Sequence, residues 1–545
     1  MRTGGNPRNI CFVLLGRDEA ALAEAEKYIR ELHVPDGFQT EIVRAGDEDN
    51  MARACNRAMR LADARYKVYL QAGAYPIHKR WIGDMLAVFD RNPELGLLGL
   101  IGSRDMPLSG WWRDSTAPVG KVWGRDRSGR LARIAGDENA PQPGAGYEPA
   151  RAVAGFCLMT QYDVPWREDP GFRDPVFCAA AQALEFEKAG LACGVAVQED
   201  PWCIWDVPLK RDIDRAEQRR FLEEYGSRLW PAPADRPFEQ RFPLVSILIP
   251  AYNQTLYLRE ALESALNQTY PRFEIIIGDD STHPEVELFV RPYLDRYGQL
   301  SYFRNVKTGP DYGFQNNVNC FRRAKGDFVN FLNHDDLFHP MKLEKMVRYF
   351  LEHPNLTLVT STRDRIDEQG NVLPPTPAFA KWVEHDIILE GRELCRQVLT
   401  RLKNIIGEPT TVLFRRGIIE PDQWFHFAGE RYRTIGDVAA WFALLQHGDA
   451  AVLAETLSFT RFHPERNTNR NDVLMRGISS WLKLIRQSYE QGILDESGFR
   501  QSVWIWLSTY QSGILQVIRH ADRSHSWYGD LMESYRSAVD AVTRV

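Results

Sequence analysis

Carboxylates gather where apolar runs stop. Val245-Ser246-Ile247-Leu248-Ile249 leads into Pro250-Ala251-Tyr252-Asn253, and Glu274-Ile275-Ile276-Ile277-Gly278 leads into Asp279-Asp280-Ser281-Thr282. Phe328-Val329-Asn330-Phe331-Leu332 leads into Asn333-His334-Asp335-Asp336. Asp437 stands in Ile435-Gly436-Asp437-Val438-Ala439-Ala440-Trp441, and His463 closes Leu457-Ser458-Phe459-Thr460-Arg461-Phe462-His463-Pro464. Hard carboxylate oxygens hold divalent cations, and such cations neutralise diphosphates. A carboxylate also accepts protons. Each of these groups has a plainer explanation in a helix cap or a turn, for which Asp is equally suited.

The elements around them make the plainer explanation incomplete. Residues 257–266 have helical character and end in Asn267-Gln268-Thr269-Tyr270-Pro271. Strand, helix and strand in this order form a βαβ unit, with polar groups at the carboxyl ends of both strands. In an open parallel sheet that edge is where ligands bind.

Taken in order, these segments resemble an inverting family 2 glycosyltransferase of the GT-A fold, over about residues 243–469. The resemblance implies nucleotide contacts from Pro250, Tyr252, Asn253, Asp279 and Asp280. It implies a metal and diphosphate site at Asp335 and Asp336, where the family has a Leu-Asp-x-Asp-Asp motif. The first acid of that motif is Asn333 here, which accepts a hydrogen bond but brings no charge, and is a candidate diphosphate or acceptor contact. It implies Asp437 as the catalytic base and His463 as a metal or diphosphate ligand. Arg461 is a candidate for diphosphate, since Arg forks match phosphate oxygens. Glu408, in Gly407-Glu408-Pro409-Thr410, is a candidate near the acceptor. The implied cofactor is Mn²⁺ or Mg²⁺ and the implied donor a nucleotide-diphosphate sugar, with UDP weighted by the family. The reaction is a single in-line displacement onto a glycan, lipid-linked or protein acceptor. A Gln-x-x-Arg-Trp segment of the processive synthases is missing, which favours single-sugar transfer. Two other readings stand beside it. A sugar- or protein-binding relative without turnover is kept open by Asn333. A sugar-phosphate nucleotidyltransferase needs a Gly-rich basic loop where Pro250-Ala251-Tyr252-Asn253-Gln254 stands.

The N-terminal part has its own resemblance. Asn56-Arg57-Ala58-Met59, Asp63-Ala64-Arg65-Tyr66-Lys67-Val68-Tyr69-Leu70, Asp163-Val164-Pro165-Trp166-Arg167-Glu168-Asp169 and Asp200-Pro201-Trp202-Cys203 are similar to the streptomycin-biosynthesis type of glycosyltransferase-like domain, over about residues 9–206. The acids which that type implies fall on Gly73 and Ala179, and its closing His on Trp205. Gly and Ala bind no metal through a side chain, so this domain is expected to be non-catalytic. A metal-independent site at Asp105, Glu168 or Asp169 is the alternative.

The expected class is α/β: two GT-A-like domains in tandem, each on a mostly parallel sheet, plus a C-terminal helical segment. The boundaries are 1–225, a linker at 226–243 with Pro231, Pro233, Pro237 and Pro243, a catalytic domain at 244–470, and helices at 471–545. A long surface excursion is expected at residues 104–150. In the last segment Trp481, Leu484, Ile485, Trp504, Leu507, Ile514, Leu515 and Ile518 recur at helical spacing. They read as core or as a homo-oligomer contact.

At 545 residues the chain exceeds one core. A net charge of −6 excludes a general nucleic-acid binder. The sequence has neither an 18-residue apolar run nor a signal-peptide core, so a membrane span is not expected. Eight scattered cysteines without a Cys-x-x-Cys pair read as reduced core residues. A cytoplasmic location follows, with peripheral attachment at the inner face of the membrane as its variant.

Overall fold

The computed structural model describes residues 5–45, 50–125, 129–136, 144–169, 171–208, 212–233, 235–305, 313–377, 379–464, 471–520 and 524–543. Two compact units divide the chain: Met1–Phe238 with Thr269–Pro271, and Glu239–Gln268 with Arg272–Val545. Helix Arg215–Leu229 runs into the stretch expected as a linker, and Phe238–Arg241 within it is helical. The expected α/β class, with C-terminal helices, is what the chain forms.

In the first unit, strands Gln39–Arg44, Asn9–Leu15 and Tyr66–Gln71 pair in parallel, and Cys157–Thr160, Leu95–Gly99, Ala192–Ala196 and Tyr147–Pro149 extend the sheet. Asn9–Leu15 is almost wholly buried, as its unbroken apolar run demands. Residues 104–150 are not merely a surface excursion. Leu108 and Trp112 are buried, and Pro118–Arg125 pairs with Leu131–Ala135 and Cys203–Pro208 in a second sheet. The density of Gly, Pro and charge hid a strand whose Val119 and Val122 face inward. Residues 126–128 and 137–143 of that stretch lie outside the described residues.

In the second unit one sheet has the order Leu300–Arg304, Phe273–Asp279, Val245–Ala251, Phe328–Phe331, Leu413–Arg415, Leu356–Ile366, Asp449–Arg461, Leu337–Phe338. The first four strands run in parallel. The chain moves outward from Val245–Ala251 through Phe273–Asp279 to Leu300–Arg304. It then returns to the opposite side of Val245–Ala251 with Phe328–Phe331. That reversal is a topological switch point, the position at which open α/β sheets bind ligands. Under the sheet, the Trp424 ring stacks against Phe331 at 4.6 Å and Phe414 at 5.3 Å, and packs edge-to-face with Trp441 at 5.6 Å. Both tryptophans are fully buried. Truncation of either to Ala costs about 3–5 kcal/mol by the usual transfer and cavity terms.

The last segment forms helices Asn471–Glu490, Glu496–His520 and Tyr528–Thr543. Trp481, Leu484, Ile485, Leu507 and Ile514 join the core of the second unit. Trp504 and Leu515 do not; they stay 62% and 39% exposed. The side chain of Ile518 lies outside the described residues. All eight cysteines are free, and seven are buried. Among the described residues no helix is long and apolar enough to cross a membrane.

Candidate active site

Three groups of side chains line the carboxyl edge of the second unit's sheet. The first joins the ends of Val245–Ala251 and Phe273–Asp279. Asn253 takes a left-handed backbone (φ 49°), which Asn tolerates better than most residues. This turn lets its N–H donate to Ser281 Oγ at 2.8 Å, while its Oδ1 accepts the Thr282 N–H at 2.8 Å. Asp279 is fully buried. Its Oδ1 accepts the Ser281 N–H and its Oδ2 accepts the Tyr302 hydroxyl, both at 2.7 Å. Asp279 therefore sets the shape of the loop. Burial and this carboxylate push the Tyr302 hydroxyl well up. Asp280 is half-buried, and its Oδ1 accepts from Asn305 Nδ2 at 2.9 Å. Tyr252 is 44% exposed at the same edge.

The second group follows Phe328–Phe331. His334 Nδ1 lies 3.3 Å from the Pro250 carbonyl, which ties this loop to the first. Asp335 and Asp336 have opposite fates. Asp336 is buried; its Oδ2 accepts from Thr410 Oγ1 at 2.6 Å and Asn333 Nδ2 at 3.0 Å, and its Oδ1 accepts the Arg461 N–H at 3.0 Å. Asp335 keeps its side chain 19% exposed, with Oδ2 3.0 Å from His463 Nε2. Arg461, a sequence candidate for diphosphate, is fully buried and its guanidinium is engaged within the protein. Nε donates to the Asp335 carbonyl at 2.8 Å, Nη1 to the Asp367 and Glu368 carbonyls at 3.0 Å, and Nη2 to Glu260 at 2.5 Å. It also lies over the Tyr257 ring at 4.8 Å. As placed, Arg461 braces the Asp335-Asp336 loop from behind.

The third group surrounds Asp437. Ile435, β-branched, adopts φ 49° and starts helix Gly436–Leu445, so Asp437 sits in the first turn and not at the cap. Such backbone strain persists only where the surroundings enforce it. Asn404 Nδ2 donates to Asp437 Oδ2 at 2.9 Å. The same amide brackets Gly407, donating to its carbonyl at 3.1 Å and accepting its N–H at 2.9 Å. Gly407 has φ 119°, which favours glycine. Trp441 Nε1 donates to the Gly407 carbonyl at 2.9 Å, so helix Gly436–Leu445 and the Glu408 loop are locked together. Glu408 pairs with Arg363 Nε at 2.5 Å. Burial, then the Glu408 charge, pushes Asp437 up to about 6, against backbone N–H groups at the helix start and Arg363. A carboxyl that titrates near neutrality is suited to general-base work. Thr410, two residues from Glu408, bonds Asp336 and so connects the second and third groups.

The donor set tests the fit of a divalent ion. Among the described residues no cluster of three or more His, Cys, Asp or Glu side chains is placed to hold a metal. Asp335 and His463 offer one carboxylate and one imidazole, and Asp336 is turned inward. A cation that keeps water and substrate phosphates in its shell needs only one or two protein ligands, so the pair fits that use. Asn333 supplies no ligand charge; its amide serves Asp336.

Sequence reasoning missed Asn404, Arg363, Tyr302, Asn305 and Glu260, and quoted Thr410 without a role. Asn404 had only a faint signal: a polar residue between Lys403 and the apolar pair Ile405-Ile406 that precedes Gly407.

In the first unit, the carbonyl of Gly73 (φ 92°) accepts the Asp206 N–H at 2.8 Å, Ala179 is buried, and Trp205 stacks on Phe156 at 4.7 Å. At Gly155 an added Cβ would meet that of Ala179 at 2.8 Å. Of the alternative acids, Glu168 accepts from Asn56 at 2.7 Å, Asp105 accepts from the Ser115 hydroxyl, and Asp169 is exposed.

Residues 11–225 match the sequence model of the glycosyltransferase-like family, and residues 246–421 match that of glycosyl transferase family 2. An uncharacterized glycosyltransferase of Rickettsia felis is 30% identical over 250 residues, 43% of this chain and 37% of the relative. Another, of Haemophilus influenzae, is 29% identical over 153 residues, 28% of this chain and 59% of the relative. Chondroitin synthase of Escherichia coli is 31% identical over 134 residues, 25% of this chain and 19% of that protein. The chain thus spans little more than a third of the length of the Rickettsia felis relative. A solved structure of S. aureus TarS 1-349 in complex with UDP-GlcNAc has 18% identity and a TM-score of 0.40, covering 55% of this chain and 83% of that one. That likeness is too loose to bear on the site.

Proposed function

We propose, from the premise that the chain carries two glycosyltransferase-family domains in tandem, that the second transfers a single sugar from a nucleotide-diphosphate sugar with inversion. The observation that carries this reading is Asp437: a carboxyl held by Asn404 and pushed up to about 6, across the Thr410 connection from the Asp335–His463 pair.

The acceptor hydroxyl gives its proton to Asp437 as its oxygen attacks the anomeric carbon. The anomeric C–O bond to the diphosphate breaks, and the nucleoside diphosphate leaves with the bonding electrons. Asp335 and His463 would hold Mn²⁺ or Mg²⁺, which when bound supplies positive charge for the leaving diphosphate. Tyr252, Asn253 and Asp280, on the loop that Asp279 shapes, receive the nucleoside, with UDP as the donor class. Arg461 and Asp336 hold the Asp335 loop in place. The acceptor is a glycan, a lipid-linked glycan or a protein, in a cytoplasmic setting. The first unit, with Gly73 and Ala179 in place of acids, serves acceptor binding or scaffolding.

Nucleotide release from a panel of nucleotide sugars, with Mn²⁺ or Mg²⁺, tests this reading. One donor should be turned over, and Asp335→Ala should abolish the turnover. No turnover of any donor, despite binding, would favour the sugar-binding alternative that Asn333 keeps open.

A further inference from the structure

Strand Leu356–Ile366 carries Arg363 and Arg365 two residues apart, so both leave the same face. Both guanidinium groups lie over Phe379, at 5.0 and 6.0 Å. Arg365 also covers Phe462 at 4.2 Å, the residue before His463. On the other side, Leu402 takes a left-handed cap (φ 48°) at the end of helix Gly391–Arg401 and turns Lys403 and Asn404 toward Arg363. Arg363 Nη2 donates to the Asn404 carbonyl at 3.1 Å. One segment touches both outer cations: the Pro374 carbonyl accepts from Arg365 Nη1 at 3.3 Å, and the Pro377 carbonyl accepts from Lys403 Nζ.

The charges in this corner do not balance. Arg363 has Glu408. Among the described residues neither Arg365 nor Lys403 has a carboxylate within ion-pair distance. Arg365 Nε is buried without a hydrogen-bond acceptor. Burial and the neighbouring Arg363 and Arg401 lower the Lys403 ammonium from its ordinary value. Native proteins leave few buried donors unsatisfied, and an absent ion is one recurrent reason for an exception.

We propose that Arg363, Arg365 and Lys403 form an anion subsite beside the base, which receives a phosphate or carboxylate group of the acceptor. Arg forks suit either anion. The assignment to the acceptor rests on the reading of Asp437 as the base, because Asn404 and Glu408 place this corner against Asp437. Asp335 and His463 take the donor diphosphate, and Glu408 keeps Arg363 oriented while the subsite is empty.

The test uses the full chain and four probes: glycerol 3-phosphate and glucuronate, with glycerol and glucose as neutral partners. Titration calorimetry should show at least one anionic probe binding tenfold or more tightly than its neutral partner. Which of the two it is identifies phosphate or carboxylate. In the Arg365→Gln/Lys403→Gln variant that preference should fall tenfold or more, while UDP binding with Mn²⁺ stays within twofold. Equal binding of charged and neutral probes to the unaltered protein overturns the proposal. So does a variant that loses UDP and anion binding together, which assigns the cations to the donor diphosphate. Melting curves of the variant establish that it is folded. If Asp437→Asn keeps full sugar transfer, the base reading fails, while the anion preference is still measured separately.

Discussion

Asn404 Nδ2 lies 2.9 Å from Asp437 Oδ2, and the same amide holds both polar backbone groups of Gly407. One side chain thus fixes Asp437, the proposed base, and the loop that carries Glu408. The Glu408 charge helps to raise Asp437. An Asn404→Asp substitution puts a second carboxylate where the amide donated. The acid limb of the pH–rate profile should then move up by about one unit or more, as like charges in one site do. Initial rates between pH 4.5 and 9 measure it, and an unmoved limb contradicts the positioning role.

Asp437 should also show a conflict between function and stability. Its folded value, about 6, lies above that of a free carboxyl, so the ionised group opposes folding. The penalty is full above about pH 6, shrinks as pH falls, and is gone below about pH 4. With Asp437 as the proposed base, activity should show the opposite dependence: it would need the ionised form and fall as pH drops through about 6. Asp437→Asn should therefore reduce transfer by about 10²–10⁴-fold. It should stabilise the fold at pH 8 by up to about 3 kcal/mol, with the gain vanishing near pH 4. Chemical denaturation at both pH values reads the sign.

Asp335 and Asp336 should respond differently to substitution. Asp335→Ala or His463→Ala should weaken Mn²⁺-dependent nucleotide binding by about 10–100-fold with little change in melting temperature. Asp336→Ala leaves the Thr410 hydroxyl, the Asn333 amide and the Arg461 N–H without their acceptor. It should cost about 2–4 kcal/mol of stability. Binding and denaturation measured on the same proteins separate the two effects.

Arg461 should behave as a buried brace. Arg461→Met removes a fully buried guanidinium and leaves the Asp335, Asp367 and Glu368 carbonyls without their donor, with an expected loss of about 2–4 kcal/mol. Arg461→Lys should not restore it, because one ammonium cannot span the Asp335, Asp367 and Glu368 carbonyls together with Glu260. Full rescue by lysine contradicts this.

The strand ends were legible in the sequence because apolar runs stop at polar clusters, and a parallel sheet puts such ends on one edge. The division of labour within each pair was not. Asp279 is turned inward by Tyr302, and Asp336 by Thr410 and Arg461, partners 23, 74 and 125 residues away. No local pattern records such distant partners. Asn404 was hidden for the same reason, 33 residues before Asp437. Trp504 misled through its helical spacing: period alone gives the stripe but not which neighbour covers it, and its ring stays in solvent. In residues 104–150, turn residues outnumber the few valines that build a strand.

The central claim is that the second unit performs the transfer while the first does not. Sugar transfer by the full chain carrying Asp335→Ala and Asp437→Ala, with melting curves to establish folding, tests it most directly. The account predicts a loss of transfer of about 10³-fold or more. Transfer at the unaltered rate would contradict it and assign the chemistry to the first unit.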